Sequence, residues 1–118
     1  VYLAKNPYVN LAEKIKGNRV IRSIHKTYLR ALDAKLTVDF APLALENERW
    51  LVEKRGERVA LRSYRGNYLR ANYNFTIELA RAPPRENETW KPVRNADGSW
   101  RFQSNHGWWL SAKDDKSV

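Results

Sequence analysis

The chain contains no cysteine and no methionine, and its 118 residues include only five glycines, five prolines and two histidines. Without cysteine, neither a disulfide framework nor a thiolate zinc site can form. That is compatible with a reducing compartment and does not require one. The two histidines, His25 and His106, lie in separate segments and offer no H-x-x-x-H spacing for a metal. No Gly-x-Ser-x-Gly elbow and no phosphate loop occur. The adjacent carboxylates Asp114-Asp115 are chain neighbours, which does not make them a tuned acid/base couple. These absences argue against an enzyme, and no cofactor is expected. No apolar run approaches the roughly twenty residues that span a bilayer, and no signal-peptide pattern stands at the start of the sequence. The first residue is Val1 rather than Met, which reads as a processed chain or an excised domain.

Acidic residues are in the minority. Thirteen Asp and Glu face 22 Lys and Arg, for a formal net charge of +9 at pH 7. A surplus of this size favours acidic partners such as F-actin, anionic headgroups, sulfated glycans or nucleic acid. It also serves solubility, so the charge gives the sign of a partner and not its identity.

The length suits one domain, and a globule of this size buries roughly two-thirds of its unfolded surface. Within it the sequence resembles itself. Arg22-Ser23-Ile24-His25-Lys26-Thr27-Tyr28-Leu29-Arg30-Ala31 returns as Arg62-Ser63-Tyr64-Arg65-Gly66-Asn67-Tyr68-Leu69-Arg70-Ala71, and again as Gln103-Ser104-Asn105-His106-Gly107-Trp108-Trp109-Leu110-Ser111-Ala112. Ile21, Leu61 and Phe102 precede the three copies, Val38 and Ile77 follow the first two, and Trp50 and Trp90 keep the same step. Val59–Arg62 and Ser99–Phe102 alternate as half-buried strands do. Gly66 and Gly107 mark short turns at which a positive φ carries no steric cost. Lys26 stands where those glycines stand, so an identical turn there costs on the order of 1 kcal/mol. A second series, Lys16-Gly17-Asn18, Arg55-Gly56-Glu57 and Asp97-Gly98, reads as hairpins between units. Leu11 to Lys16 could form a short helix of one turn, but it aligns with Leu51 to Arg55 and reads as strand and turn.

The expectation is an all-β fold, a β-trefoil of three repeats of about forty residues, closed as a barrel and capped by hairpins. Repeat one covers about 18–57, repeat two about 58–98, and repeat three about 99–118 completed by 1–17. The termini are then adjacent, with Val118 and Val1 meeting within one strand position. Ile21, Leu29, Val38, Leu61, Leu69, Ile77, Phe102 and Leu110 are expected inside. The tryptophans read as core and barrel-cap residues, except Trp108, whose counterparts are Thr27 and Asn67. An aromatic where its relatives are polar hints at a contact surface.

The pattern apolar-x-Leu-Arg-Ser-x-x-Gly-x-Tyr-Leu-x-Ala, followed by a Thr-Val strand and a Trp strand, resembles the fascin and hisactophilin actin-crosslinking trefoils. The likeness is clearest over Arg19 to Ala112. It implies a cytoplasmic, cytoskeleton-associated module that attaches to actin filaments through basic loops. Crosslinking would then need a dimer or further domains. The candidate contact residues are Arg22, Arg30, Arg62, Arg65, Arg70, His25, Lys26, His106 and Trp108. His25 and His106 occupy equivalent turn tips, with Arg65 as their counterpart, but a chain with two histidines departs from the histidine-rich pattern that gives pH control. The alternative is an extracellular trefoil that binds glycans or heparin. The ricin-type Gln-x-Trp repeat is missing, and the sequons Asn74-Phe75-Thr76 and Asn87-Glu88-Thr89 matter only in a secreted protein. Nucleic acid is disfavoured because the aromatics recur at core-like positions and no recognised motif accompanies them.

Overall fold

The computed structural model describes residues 11–81 and 83–112. The expected meeting of the termini, and most of the segment that would complete a third repeat, lie outside the described residues.

Alternating apolar residues make strands throughout. In β4 (Arg49–Arg55) Trp50 and Val52 point inward, and in β5 (Arg58–Ser63) Val59, Leu61 and Ser63 do the same. These two strands form the longest ladder, turning at Gly56. The remaining strands are β1 (Gly17–Val20), β2 (Tyr28–Leu32), β3 (Thr37–Ala41), β6 (Tyr68–Ala71), β7 (Ile77–Ala80), β8 (Thr89–Arg94) and β9 (Trp100–Gln103). The protein is all-β, and the sole α-helix among the described residues is the single turn α1 (Leu11–Ile15).

Antiparallel ladders run β1–β4–β5–β8–β9, while β2–β3 and β6–β7 are hairpins that attach beside them. Among the described residues the ladders do not close from β9 back to β1, so the expected closed barrel is not formed by them. One departure from the expectation falls in residues 11–15. Instead of the strand expected there, Leu-Ala-Glu-Lys-Ile winds into α1, four good helix formers in a row outweighing the alignment with Leu51 to Arg55. The Lys16 amide donates to the Ala12 carbonyl at 3.1 Å, and Ala12 is fully buried beside β4 and β8. Arg19 bonds the carbonyls of Lys14 and Ile15, which the helix end leaves open. The Gly17 turn consequently joins a helix to β1 and is not the hairpin that spacing suggested.

The core contains Leu29, Leu61, Leu69 and Phe102, with Ile21, Val38, Ile77 and Leu110 packed against it. Trp50 and Trp90 are fully enclosed. Their indole N–H groups donate to the carbonyls of Leu29 and Leu69 at 3.0 and 3.1 Å, the same bond forty residues apart. Registers recur likewise: Arg19 faces Trp50 and Val20 faces Arg49, as Val59 faces Trp90 and Ala60 faces Thr89. The second of these ladders is shorter. It stops before Pro92, which has no N–H to contribute. Arg58 reinforces this joint by donating to the Thr89 hydroxyl and carbonyl at 2.9 and 2.7 Å.

Three turns share one geometry. The amides of Ser23, Ser63 and Ser104 donate to the carbonyls of Thr27, Asn67 and Trp108 at 2.7, 2.6 and 2.7 Å. The residues at the glycine position, Lys26, Gly66 and Gly107, all have positive φ, at 64°, 92° and 89°. Lys26 therefore bears the strain that its neighbours avoid. Lys26→Gly is expected to stabilise the fold by up to about 1 kcal/mol, seen as a higher urea midpoint with an unchanged slope. A lower midpoint would mean that the lysine makes compensating contacts.

Candidate functional site

The nine predicted residues separate into five environments. Arg30 and Arg70 do not belong to a free basic face. Arg30 forks onto Asp39, its Nε donating to Oδ1 at 2.8 Å and its Nη2 to Oδ2, across the β2–β3 hairpin. Arg70 pairs with Glu78 at the equivalent place across β6–β7, but through Nη2 alone, its buried Nε having no hydrogen-bond partner among the described residues. The arginine, and after it the Asn72 amide, hold the Glu78 carboxyl below the usual carboxylate range. These cations are already neutralised by the hairpins that carry them.

Arg62 lines an open cleft of about 870 Å³ with Arg19, Arg49 and Tyr64. Arg22 lines a second, of about 650 Å³, with Lys14, Arg19, Arg94 and Trp100. Arg19 belongs to both, so the clefts flank β1 and share a wall. Neither lining includes an Asp or Glu. The closest counter-charge to Arg62 is Glu53, whose Oε2 is 3.8 Å from Nη1, while Glu53 also receives Arg55 and the Tyr68 hydroxyl. Sequence reasoning missed Arg49 and Arg94, because strand pairing is what carries them to the clefts.

Elsewhere near α1 the charges are matched. Glu13 meets Lys54 at 2.8 Å and Lys16 at 2.9 Å. Their hydrogen bonds, Lys54 first, lower its carboxyl to about 2. Its folded value lies below the unfolded one, so its contribution is complete above the ordinary Glu range of about 4.3 and disappears as pH falls through about 2. An NMR titration of the Glu13 side chain should give a midpoint near 2 that rises toward the ordinary value in Lys54→Ala. An unchanged midpoint in that variant would rule out the Lys54 bridge as the cause.

Arg65 sits at a different place, beside a cavity of about 800 Å³ lined also by Asp33, Lys35, Asn67 and Arg81. Here the turn of the β2–β3 hairpin docks on the Ser63–Asn67 turn. Asp33 Oδ1 accepts from the Ser63 hydroxyl at 2.6 Å and from the Asn67 amide at 2.7 Å. His25 and Lys26 are exposed in the first turn, apart from these groups.

His106 and Trp108 do come together, and they recruit two aromatics that the sequence had not singled out. The β6–β7 turn brings Tyr73 and Phe75 against the Ser104–Trp108 turn. Phe75 stacks on Trp108 with centroids 3.7 Å apart, and Tyr73 lies 4.0 Å from the His106 ring. Tyr73 and Phe75 are nonetheless 77% and 73% exposed. His106 Nε2 is fixed 3.2 Å from the Ala71 carbonyl. The Asn74 sequon occupies this same turn, its side-chain oxygen accepting from the Thr76 hydroxyl and amide.

Among the described residues no group of three or more His, Asp or Glu could hold a metal ion, and no helix is long and apolar enough to cross a membrane. No protein-family model matches the chain, and no curated protein matches it.

Proposed function

We propose that the chain is a β-trefoil that works by binding rather than catalysis and engages an acidic filament surface, actin in the first instance, through the paired clefts along β1. The recurrence of the Trp–Leu hydrogen bond, the strand registers and the serine turn at steps of forty or forty-one residues supports the trefoil. The actin partner comes from the fascin-like pattern of the sequence. One observation carries the binding surface: Lys14, Arg19, Arg22, Arg49, Arg62 and Arg94 surround two adjoining clefts whose linings contain no carboxylate. A surplus of positive charge in a concave surface, where Glu53 reaches only Arg62 of these six, focuses its field outward onto an anionic partner.

Co-sedimentation with F-actin at about 0.05 and 0.15 M salt tests this reading. The parent should pellet at both, and Arg49→Glu combined with Arg62→Glu should weaken pelleting by about tenfold or more. Equal pelleting of parent and double variant would remove the clefts from the account. Retention on heparin with no pelleting on actin would move the partner to a sulfated glycan.

A further inference from the structure

The aromatic corner between the β6–β7 turn and the Ser104–Trp108 turn lies outside the basic clefts and has no part in the reading above. It frames a cavity of about 270 Å³ whose walls include Phe75, Trp108 and Trp109. We propose that this cavity is a binding site for a neutral saccharide, one pyranose ring stacking on the exposed aromatic faces.

Four observations converge on it. First, the cavity lining contains no charged side chain of either sign, in a chain of net charge +9. The lining itself offers a phosphate, sulfate or carboxylate no cation, the nearby Arg101 guanidinium being stacked 4.4 Å from the Trp109 ring centroid, whereas a neutral sugar needs none. Second, the lining carries polar side chains that suit sugar hydroxyls, Asn72, Thr76 and Ser111, the first two held in place by bonds within their own turn, while Ser104 is buried and accepts from the amides of His106 and Trp108. The indoles of Trp108 and Trp109 also have no acceptor among the described residues, unlike those of Trp50 and Trp90. A sugar presents an apolar C–H face and a rim of hydroxyls, which matches flat rings bordered by donors and acceptors. Third, the equivalent corner in the first half of the chain is built from Asp33, Ser63, Arg65 and Asn67 and forms a charged cavity. The rings are therefore not needed to join a hairpin turn to a serine turn. Fourth, Phe75 has φ +68° and its counterpart Leu36 has φ +56°, but Leu36 packs against the core whereas Phe75 exposes its ring. A strained, solvent-facing aromatic contributes little that a polar residue could not, unless the face is used.

Titration with cellohexaose and with maltohexaose, followed by tryptophan fluorescence and calorimetry, tests the site, with heparin hexasaccharide and an oligothymidylate as charged probes. One of the two neutral hexasaccharides should bind, with an affinity unchanged between about 0.05 and 0.5 M salt. Trp108→Ala should weaken it roughly tenfold, and Phe75→Asn should weaken it while leaving the thermal midpoint near that of the parent, because Asn tolerates positive φ. Arg49→Glu combined with Arg62→Glu should leave it unaffected, which separates this site from the clefts. Failure of both neutral sugars to bind, binding that survives Trp108→Ala, or binding of the oligothymidylate at these rings would overturn the proposal.

Discussion

Replacing Trp90 by alanine should lower the unfolding free energy by about 3–5 kcal/mol, close to the whole stability of a marginal domain. The indole is fully enclosed and its N–H holds the Leu69 carbonyl, so truncation opens a cavity and leaves a buried acceptor without its donor. Trp50→Ala should behave alike, since Trp50 is as deeply buried and bonds Leu29 in the same manner. Trp90→Phe separates the two contributions. It keeps most of the apolar volume and should cost about 1–3 kcal/mol, chiefly from the abandoned carbonyl. Trp108→Ala, by contrast, removes a partly buried turn ring whose contacts are Phe75 and His106, and should cost less, about 1 kcal/mol. Urea unfolding followed by far-ultraviolet circular dichroism gives all four values. Equal losses for Trp90→Ala and Trp108→Ala would contradict the division between core and surface tryptophans drawn here.

The second large effect is expected at Asp33. Asp33→Ala should destabilise by about 1–3 kcal/mol, although the residue lies in a turn. One carboxylate oxygen accepts from both Ser63 and Asn67, and Ser63 is buried, so removing the acceptor leaves a hydroxyl and an amide without their partner. The other oxygen is buried with no hydrogen-bond partner, which places the carboxylate away from solvent. Asp39→Ala serves as the contrast. Its pair with Arg30 is about one-third exposed on both sides, and water can take its place, so the loss should stay within about 1 kcal/mol. If Asp39→Ala proved the more damaging, the junction would not be held by Asp33.

Which parts of this could be read from sequence depends on how local the cause is. Leu29, Leu61, Leu69 and Phe102 were legible as core because strand alternation and a recurring spacing both mark them. The strained Lys26 turn was legible because two glycines stand at matching positions. At residues 11–15 the preferred strand gave way to the alternative of one helical turn, since an alignment with a strand says nothing of the helix-forming tendency of Leu-Ala-Glu-Lys. That Arg30 and Arg70 are paired was not legible, for another reason. Their partners, Asp39 and Glu78, lie directly opposite only once the hairpin register is known. Trp108 stood out against Thr27 and Asn67, but Tyr73 and Phe75 gave no such signal. A turn aromatic acquires meaning only when a distant turn is folded against it.

The two hairpin corners, one tied by a carboxylate and the other faced with rings, divide the labour of the molecule between separate residues. Damage at positions 33, 63 or 67 should reduce how much folded protein a cell retains. Changes at 75, 106 or 108 should instead alter what a normal quantity of it can hold. A lineage carrying this scaffold is thus free to exchange its ligand by rewriting one corner, without renegotiating the architecture that supports it.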